Sequence, residues 1–340
     1  MNLPEKIEHY TSQVGSISET ILNQIKDDES DWDMPWHNGL PEAWNPVTGK
    51  FYGGNNFLIL WNEYVKNNYP ANHWATFKQW QRKQSGVSVK KGEEGTLVMF
   101  AIPKTEYRKK NNLGADAQLD FEFTTKEERE EAEKNYYFRY YWVFNAGQVE
   151  GYDIDQADLF TRSITDTDRI KEFVDKTGAE IKRGGNRAFY SIVEDFIQIP
   201  EIKKFKSVNG KCTQDLNYYS TLLHEIIHWT AHDSRCARQF KWKYGENAYI
   251  FEELVAEIGT GILTTQFNTH PIPRKDHAIH CESWLQILKN DFSYFTEALE
   301  QARAAIYWLY KETDILPYDL KPQYTRTLSE NKVKGWEKLI

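Results

Sequence analysis

Cysteine is scarce in this sequence: Cys212, Cys236 and Cys281 are its three examples in 340 residues. They are odd in number, widely spaced and form no C-x-x-C pair, which argues against a disulfide framework or a cysteine metal site and for a reducing compartment. No apolar run approaches the length that crosses a bilayer, and the opening MNLPEKIEHY lacks a basic region followed by an apolar one. A membrane-spanning or exported chain is therefore not expected, and the expected location is cytoplasmic. Positive charge is also in deficit. A net charge of −8 and a pI near 5.7 argue against a uniformly basic nucleic-acid binder. Apolar residues, by contrast, make up 40% of the chain, ample for buried cores, and the length suggests two domains.

The charge is unevenly spread. Between Lys50 and Lys110 stand eleven basic residues against four acidic ones, a local excess of +7 in an acidic protein. Aromatic residues are interleaved with them, among them Tyr52, Trp61, Trp74, Phe77, Trp80, Phe100 and Tyr107. Cations that track a phosphate backbone and rings on which unpaired bases stack are what single-stranded nucleic acid requires of a protein. A solvated basic face over an aromatic core has the same composition.

Periodicity predicts an amphipathic helix over 5–27, then helices over 57–67 and 74–84 beyond the Asn45-Pro46 and Thr48-Gly49 turn signals. Strands are expected at 87–89 and 96–102, around a Lys90-Lys91-Gly92 turn, and at 136–144. The charged stretch 107–135 reads as a surface excursion. In the second half, a helix is expected at 170–176 and a strand at 179–182. A pair of strands, or one bent one, is expected over 186–200, with a long helical segment over 281–311 and a Pro-broken tail over 314–340.

The stretch Tyr218 to Thr230 carries the chemistry. It contains His224, Glu225 and His228 in the order H-E-x-x-H, with helical composition and no Gly or Pro. Residues four apart on a helix lie on one face, so the two imidazoles can grip one metal ion. Neutral imidazoles suit zinc, and a catalytic zinc keeps one position open for water. Glu225, one position after the first His, would take that water's proton for attack on a peptide carbonyl. A second helical stretch, Tyr249 to Gly259, places Glu253 and Glu257 one turn apart. His232 also follows His228 by four, but a helix continued to it turns it well away from His224. His270, His277 and His280 follow a Pro-Ile-Pro break, and their spacing ties them to nothing.

This pairing of helices resembles thermolysin-type zinc peptidases, the gluzincins. By that match Glu253 is the third zinc ligand and Glu257, standing where that family usually has Asp, orients His224. A wider resemblance runs through Pro35-Trp36, Asn45-Pro46-Val47-Thr48-Gly49, Tyr52 with Gly54 and Asn56, and Trp74-Ala75-Thr76-Phe77-Lys78-Gln79. It continues through Lys91-Gly92-Glu93, Tyr141 to Asn145, Asn186 to Tyr190, Ile197 to Pro200, the His224 helix and Glu252 to Glu257. These motifs, in this order over roughly 17–104 and 136–311, are similar to the ArdC-type antirestriction proteins of plasmids and other mobile elements.

The resemblance implies two α+β domains. Residues 1–155, with a charged insertion at about 105–135, would form an N-terminal domain that binds single-stranded DNA. Residues 166–313 would form a zincin-like, gluzincin-type metallopeptidase domain, followed by the tail 314–340. The DNA-facing residues expected on this basis are Tyr52, Asn56, Trp74, Lys78, Lys90 and Lys91. A zinc peptidase acting on an unidentified peptide or protein, coupled to DNA protection during conjugation, is the leading expectation. Two others stand beside it: a protection factor that binds single strands and in which zinc is only structural, and a zinc peptidase whose basic segment meets protein partners. The stretch Arg187 to Tyr190 also reads as a strand edge on which an extended substrate could pair.

Overall fold

The computed structural model describes residues 1–26, 41–105, 134–154, 167–207, 213–238, 247–267 and 277–315. The expected insertion and the C-terminal tail lie almost wholly outside the described residues. The chain divides into two compact units, Met1–Thr20 with Glu42–Asp158 and Ile21–Pro41 with Leu159–Ile340.

The first unit opens with the Leu3–Thr20 part of helix α1 (Leu3–Lys26) and a short hairpin, β1 (Trp44–Asn45) and β2 (Lys50–Phe51). Asn45 closes the hairpin turn by accepting from the backbone N–H groups of Val47 and Thr48 at 3.0 and 3.1 Å. Helix α2 (Gly54–Lys66) follows. After it come β3 (Trp74–Thr76), α3 (Phe77–Lys83), β4 (Ser88–Val89), β5 (Thr96–Pro103), β6 (Tyr136–Asn145) and β7 (Val149–Glu150). The main sheet runs β3-β6-β5, antiparallel throughout, while β4 pairs with β7.

One boundary is corrected here. Trp74 to Thr76 is strand, because Thr76 is the N-cap: its side chain accepts from Gln79 N–H, and the Gln79 side chain accepts from Thr76 N–H in return. The helix therefore starts at Phe77. The expected Lys90-Lys91-Gly92 turn is present, with Glu93 N–H donating to Lys90 O, and the strands on either side of it take other partners: β4 pairs with β7 and β5 with β6. The glycine at 151 permits this arrangement: its φ is +75°, and a Cβ there would meet the Gly86 carbonyl oxygen at 2.2 Å.

The second unit contains α4 (Thr167–Thr177), β8 (Glu180–Arg183), β9 (Phe189–Ser191), β10 (Phe196–Ile199), α5 (Gln214–Trp229), α6 (Ala248–Gln266), α7 (His277–Asn290) and α8 (Ser293–Thr313). In its sheet β10 is central, parallel to β8 and antiparallel to β9, so β9 is an edge strand. Helix α5, capped by Thr213, packs on β9 and β10 on one side and on α6 on the other. Leu222, Leu223, Ile226 and Ile227 of α5 are buried, as are Leu254, Val255, Ile258 and Ile262 of α6 and Leu299, Ile306 and Leu309 of α8. Where one long helix is expected over 281–311, there are two. Asp291 breaks the run, its carboxylate accepting from the N–H of Ser293 at the start of α8.

Candidate metal centre

On α5, His224 and His228 share a face turned toward α6, with Ile227 packed against the same helix beside them and Ile226 buried on the other side. Close helix approach depends on Gly259, where a Cβ would come to 3.0 Å from Ile227 Cδ1 and Cγ1. The two imidazole Nε2 atoms stand 3.1 Å apart. Glu253 spans them, with one carboxylate oxygen 3.6 Å from His224 Nε2 and the other 3.5 Å from His228 Nε2. Ligand atoms around a tetrahedral ion with bonds of about 2.0–2.2 Å lie about 3.3–3.6 Å apart. Two imidazole nitrogens and a carboxylate at this spacing therefore fit a divalent metal ion, and among the described residues these three form the group able to hold one.

The outer nitrogens are also engaged. His224 Nδ1 lies 3.1 Å from Glu257 Oε1, and His228 Nδ1 lies 3.4 Å from Glu252 Oε1. Glu252 in turn meets Arg238, which is buried after the end of α5. Glu252 and Arg238 carry no site role in the sequence expectations. The double Glu at 252–253 is a visible signal, but nothing in the spacing of Arg238 connects it to the histidines. Electrostatics follow the geometry. Burial pulls the His228 pKa down, but the Glu252 and Glu253 carboxylates outweigh it and push it up to about 10. Burial likewise raises Glu253, yet its contacts with His224 and His228 carry it well below the usual carboxylate range.

Glu225 is buried on α5 one position after His224, about 100° round the helix. His232 is in the turn beyond α5, its Nδ1 2.9 Å from Ser234 Oγ, and takes no part in the cluster. His270 lies outside the described residues. The edge strand β9 is pinned beside the His helix by Arg235. Its guanidinium bonds Asp195 and the Tyr190 hydroxyl, donates from Nε to Trp229 O at 2.6 Å and covers the Trp229 ring at 3.9 Å.

The residues expected to face DNA separate into two groups. Lys78, Lys90 and Lys91 are exposed on the first unit, with Lys90 Nζ donating to Gly147 O at 2.8 Å. Tyr52, Asn56 and Trp74 are a correction, because all three are core residues. Trp74 is fully buried, and its Nε1 donates to Asn72 Oδ1 at 2.6 Å. The Tyr52 hydroxyl donates to Trp74 O at 3.0 Å. The Asn56 amide donates to Met99 O at 2.6 Å and accepts from Met99 N–H at 2.9 Å, holding α2 to β5. No base can stack on a ring that has no exposed face.

Comparison with known proteins follows this division. Residues 12–144 match the N-terminal domain of anti-restriction factor ArdC, and residues 168–301 match the zincin-like metallopeptidase family. The uncharacterized protein y4eC of Sinorhizobium fredii is 30% identical over 299 residues, covering 87% of this chain and 91% of that protein. A DNA primase TraC of Escherichia coli is 30% identical over 279 residues, 81% of this chain but 25% of the primase, and a second TraC is 32% identical over 293 residues, 85% of this chain and 19% of that protein. Crystal structures of the antirestriction protein ArdC from the R388 plasmid, metal-free and Mn(II)-bound, superpose with a TM-score of 0.63 at 27% identity. They match 88% of this chain and 97% of ArdC. With both halves matched in order and 97% of ArdC paralleled, the chain belongs to the ArdC-type antirestriction family and carries its N-terminal domain and a zincin-like domain.

Proposed function

We propose that this protein is an antirestriction factor with two working parts: a zinc-dependent peptidase centre in the second unit and a surface for single-stranded DNA in the first. The observation that carries the peptidase reading is the convergence of His224 Nε2, His228 Nε2 and the Glu253 carboxylate, with Glu225 next to His224 in the sequence of the same helix. His224, His228 and Glu253 would hold the ion, and Glu257 would fix the ring of His224. When bound, zinc acidifies water and polarises a carbonyl. Glu225 accepts the proton of the attacking water and returns it to the leaving amine. The free edge of β9 pairs with an extended peptide and lays it along the His helix.

The DNA reading is supported by one face of the β5–β6 sheet. The register places Ile102 opposite Tyr137, Phe100 opposite Arg139 and Val98 opposite Tyr141, so these side chains share a face. Tyr137 is 59% exposed and Arg139 is exposed, while Lys104 Nζ sits 5.1 Å from the Tyr137 ring centroid. The exposed Tyr137 ring with its adjacent cations is the stacking platform that the buried Trp74 cannot supply.

Metal content tests the ligand set. The purified wild-type chain is expected to hold one divalent ion, with zinc preferred over Mn(II) in competition. His224→Ala, His228→Ala and Glu253→Ala are each expected to hold almost none. Full metal content in Glu253→Ala would remove Glu253 from the set.

A further inference from the structure

Glu252 follows the same helix as Glu253 but leaves it about 100° away. It therefore meets the outer nitrogen of His228 rather than the inner one, with Nδ1 and Oε1 3.4 Å apart. Arg238 arrives from the other direction. After Thr230 the chain folds back on the end of α5, with Cys236 N–H donating to Thr230 O at 2.9 Å and Arg238 N–H to Ala231 O at 3.0 Å. This turn drives the guanidinium beneath the helix end, where all three of its nitrogens donate. Nε donates to Glu252 Oε2 at 3.1 Å and Nη2 to Glu252 Oε1 at 2.6 Å. Nη2 also donates to Ile227 O at 2.7 Å and Nη1 to Thr230 Oγ1 at 2.6 Å.

We propose that Arg238 and Glu252 are positioning residues for the metal centre: Arg238 clamps the Glu252 carboxylate against His228 so that the ring presents Nε2 to a divalent ion. The inference rests on the metal reading above. The support is geometric. Each imidazole of the pair has its own carboxylate on the outer nitrogen, Glu257 for His224 and Glu252 for His228, and both carboxylates come from α6. A carboxylate on Nδ1 keeps the proton there, turns the Nε2 lone pair outward and makes the ligand more basic. Glu252 and Glu253 are adjacent, and two uncompensated carboxylates on one ring would repel. Arg238 offsets the first, leaving Glu253 to face the ion. A role confined to capping α5 would need only the bonds to Ile227 and Thr230. The two-pronged grip on Glu252 adds an orientation that a cap does not require.

Affinity for Zn(II), measured on the full chain by competition with a chromophoric chelator at fixed pH, tests this without reference to activity. Glu252→Gln keeps the shape but loses the charge, and is expected to weaken binding by about 10–100-fold. Arg238→Met is expected to lose a similar amount, while the double variant should bind within about threefold of Glu252→Gln alone, because Arg238 acts through Glu252. If Arg238→Met does not fold, as judged by melting of the metal-free protein, Arg238→Lys takes its place. It keeps the charge without the fork and should show a smaller loss. The visible spectrum of the Co(II)-loaded chain should change in Glu252→Gln if the ring has turned. Wild type that binds one ion, with Glu252→Gln binding equally well, would overturn the proposal and leave the metal reading intact. Independent, additive losses would overturn the coupling and make Arg238 a packing residue. Wild type that binds no ion would remove the metal reading itself, and this inference with it.

Discussion

His228 lies between two carboxylates, and in the metal-free protein that position favours a proton. Its folded pKa of about 10 stands above its ordinary 6.5, so its contribution to stability is fully present below pH 6.5 and is lost as pH rises through 10. Glu253 has the opposite sign: its depressed pKa contributes stability above the ordinary 4.5, and that contribution is lost as pH falls. The metal-free chain should therefore be favoured by these two groups between about pH 4.5 and 6.5, and the alkaline decline should be absent in His228→Asn. Added metal reverses the trend, because binding must displace the proton. Apparent affinity should rise by up to about tenfold per pH unit from pH 6 to 8, and an affinity flat across that range would contradict the assignment. Helix geometry made the His pair legible in the sequence, since four residues return a side chain to the same face. It also placed Glu253 and Glu257 together one turn apart. The role of Glu252 was not legible, because a helix position tells which way a side chain leaves but not which partner stands there. Trp74 was misread for a related reason: composition counts aromatic rings without saying which are covered.

At the level of elements, the centre depends on how closely α5 and α6 approach. Gly259 has an ordinary helical neighbourhood, so Ala should gain about 1 kcal/mol of helix propensity. Its Cβ, however, would press on Ile227 at 3.0 Å within a closed core. Overpacking of this kind costs about 1–3 kcal/mol. Gly259→Ala should then lower the melting temperature modestly and weaken metal binding, and Gly259→Val should do both more severely. A higher melting temperature in Gly259→Ala would show that the helices have room to spare. Most elements were legible from periodicity, notably α1, β5, β6 and the β9–β10 pair. Partners were harder. The short strand β4 carries too few residues to announce β7 rather than β5, and the cap at Thr76 shifts a boundary inside what otherwise reads as one helix. The break at Asp291 depends on a single side-chain bond that apolar spacing does not encode.

At the scale of the whole molecule, the chain joins an ArdC N-terminal domain to a zincin-like domain, and the proposed function assigns DNA to the first and hydrolysis to the second. The open face of β5–β6 gives the first assignment a test. Tyr137→Ala should weaken binding of a short single strand by about 1–3 kcal/mol. Arg139→Ala should make the log–log salt slope shallower by about 0.7, one phosphate contact. Trp74→Ala should instead unfold or destabilise the unit, because it empties a buried site. Unchanged binding in both surface variants would move the interface elsewhere. The most direct measurement of the central claim is peptide hydrolysis by wild type and Glu225→Gln at equal metal content, alongside the survival of transferred DNA in a restricting host. The account predicts that the nearly isosteric Gln keeps the metal, the fold and the single-strand affinity, abolishes cleavage and loses protection. A Glu225→Gln chain that still cleaves would contradict Glu225 as the base, and one that cannot cleave yet protects as well as wild type would contradict a protective role for hydrolysis.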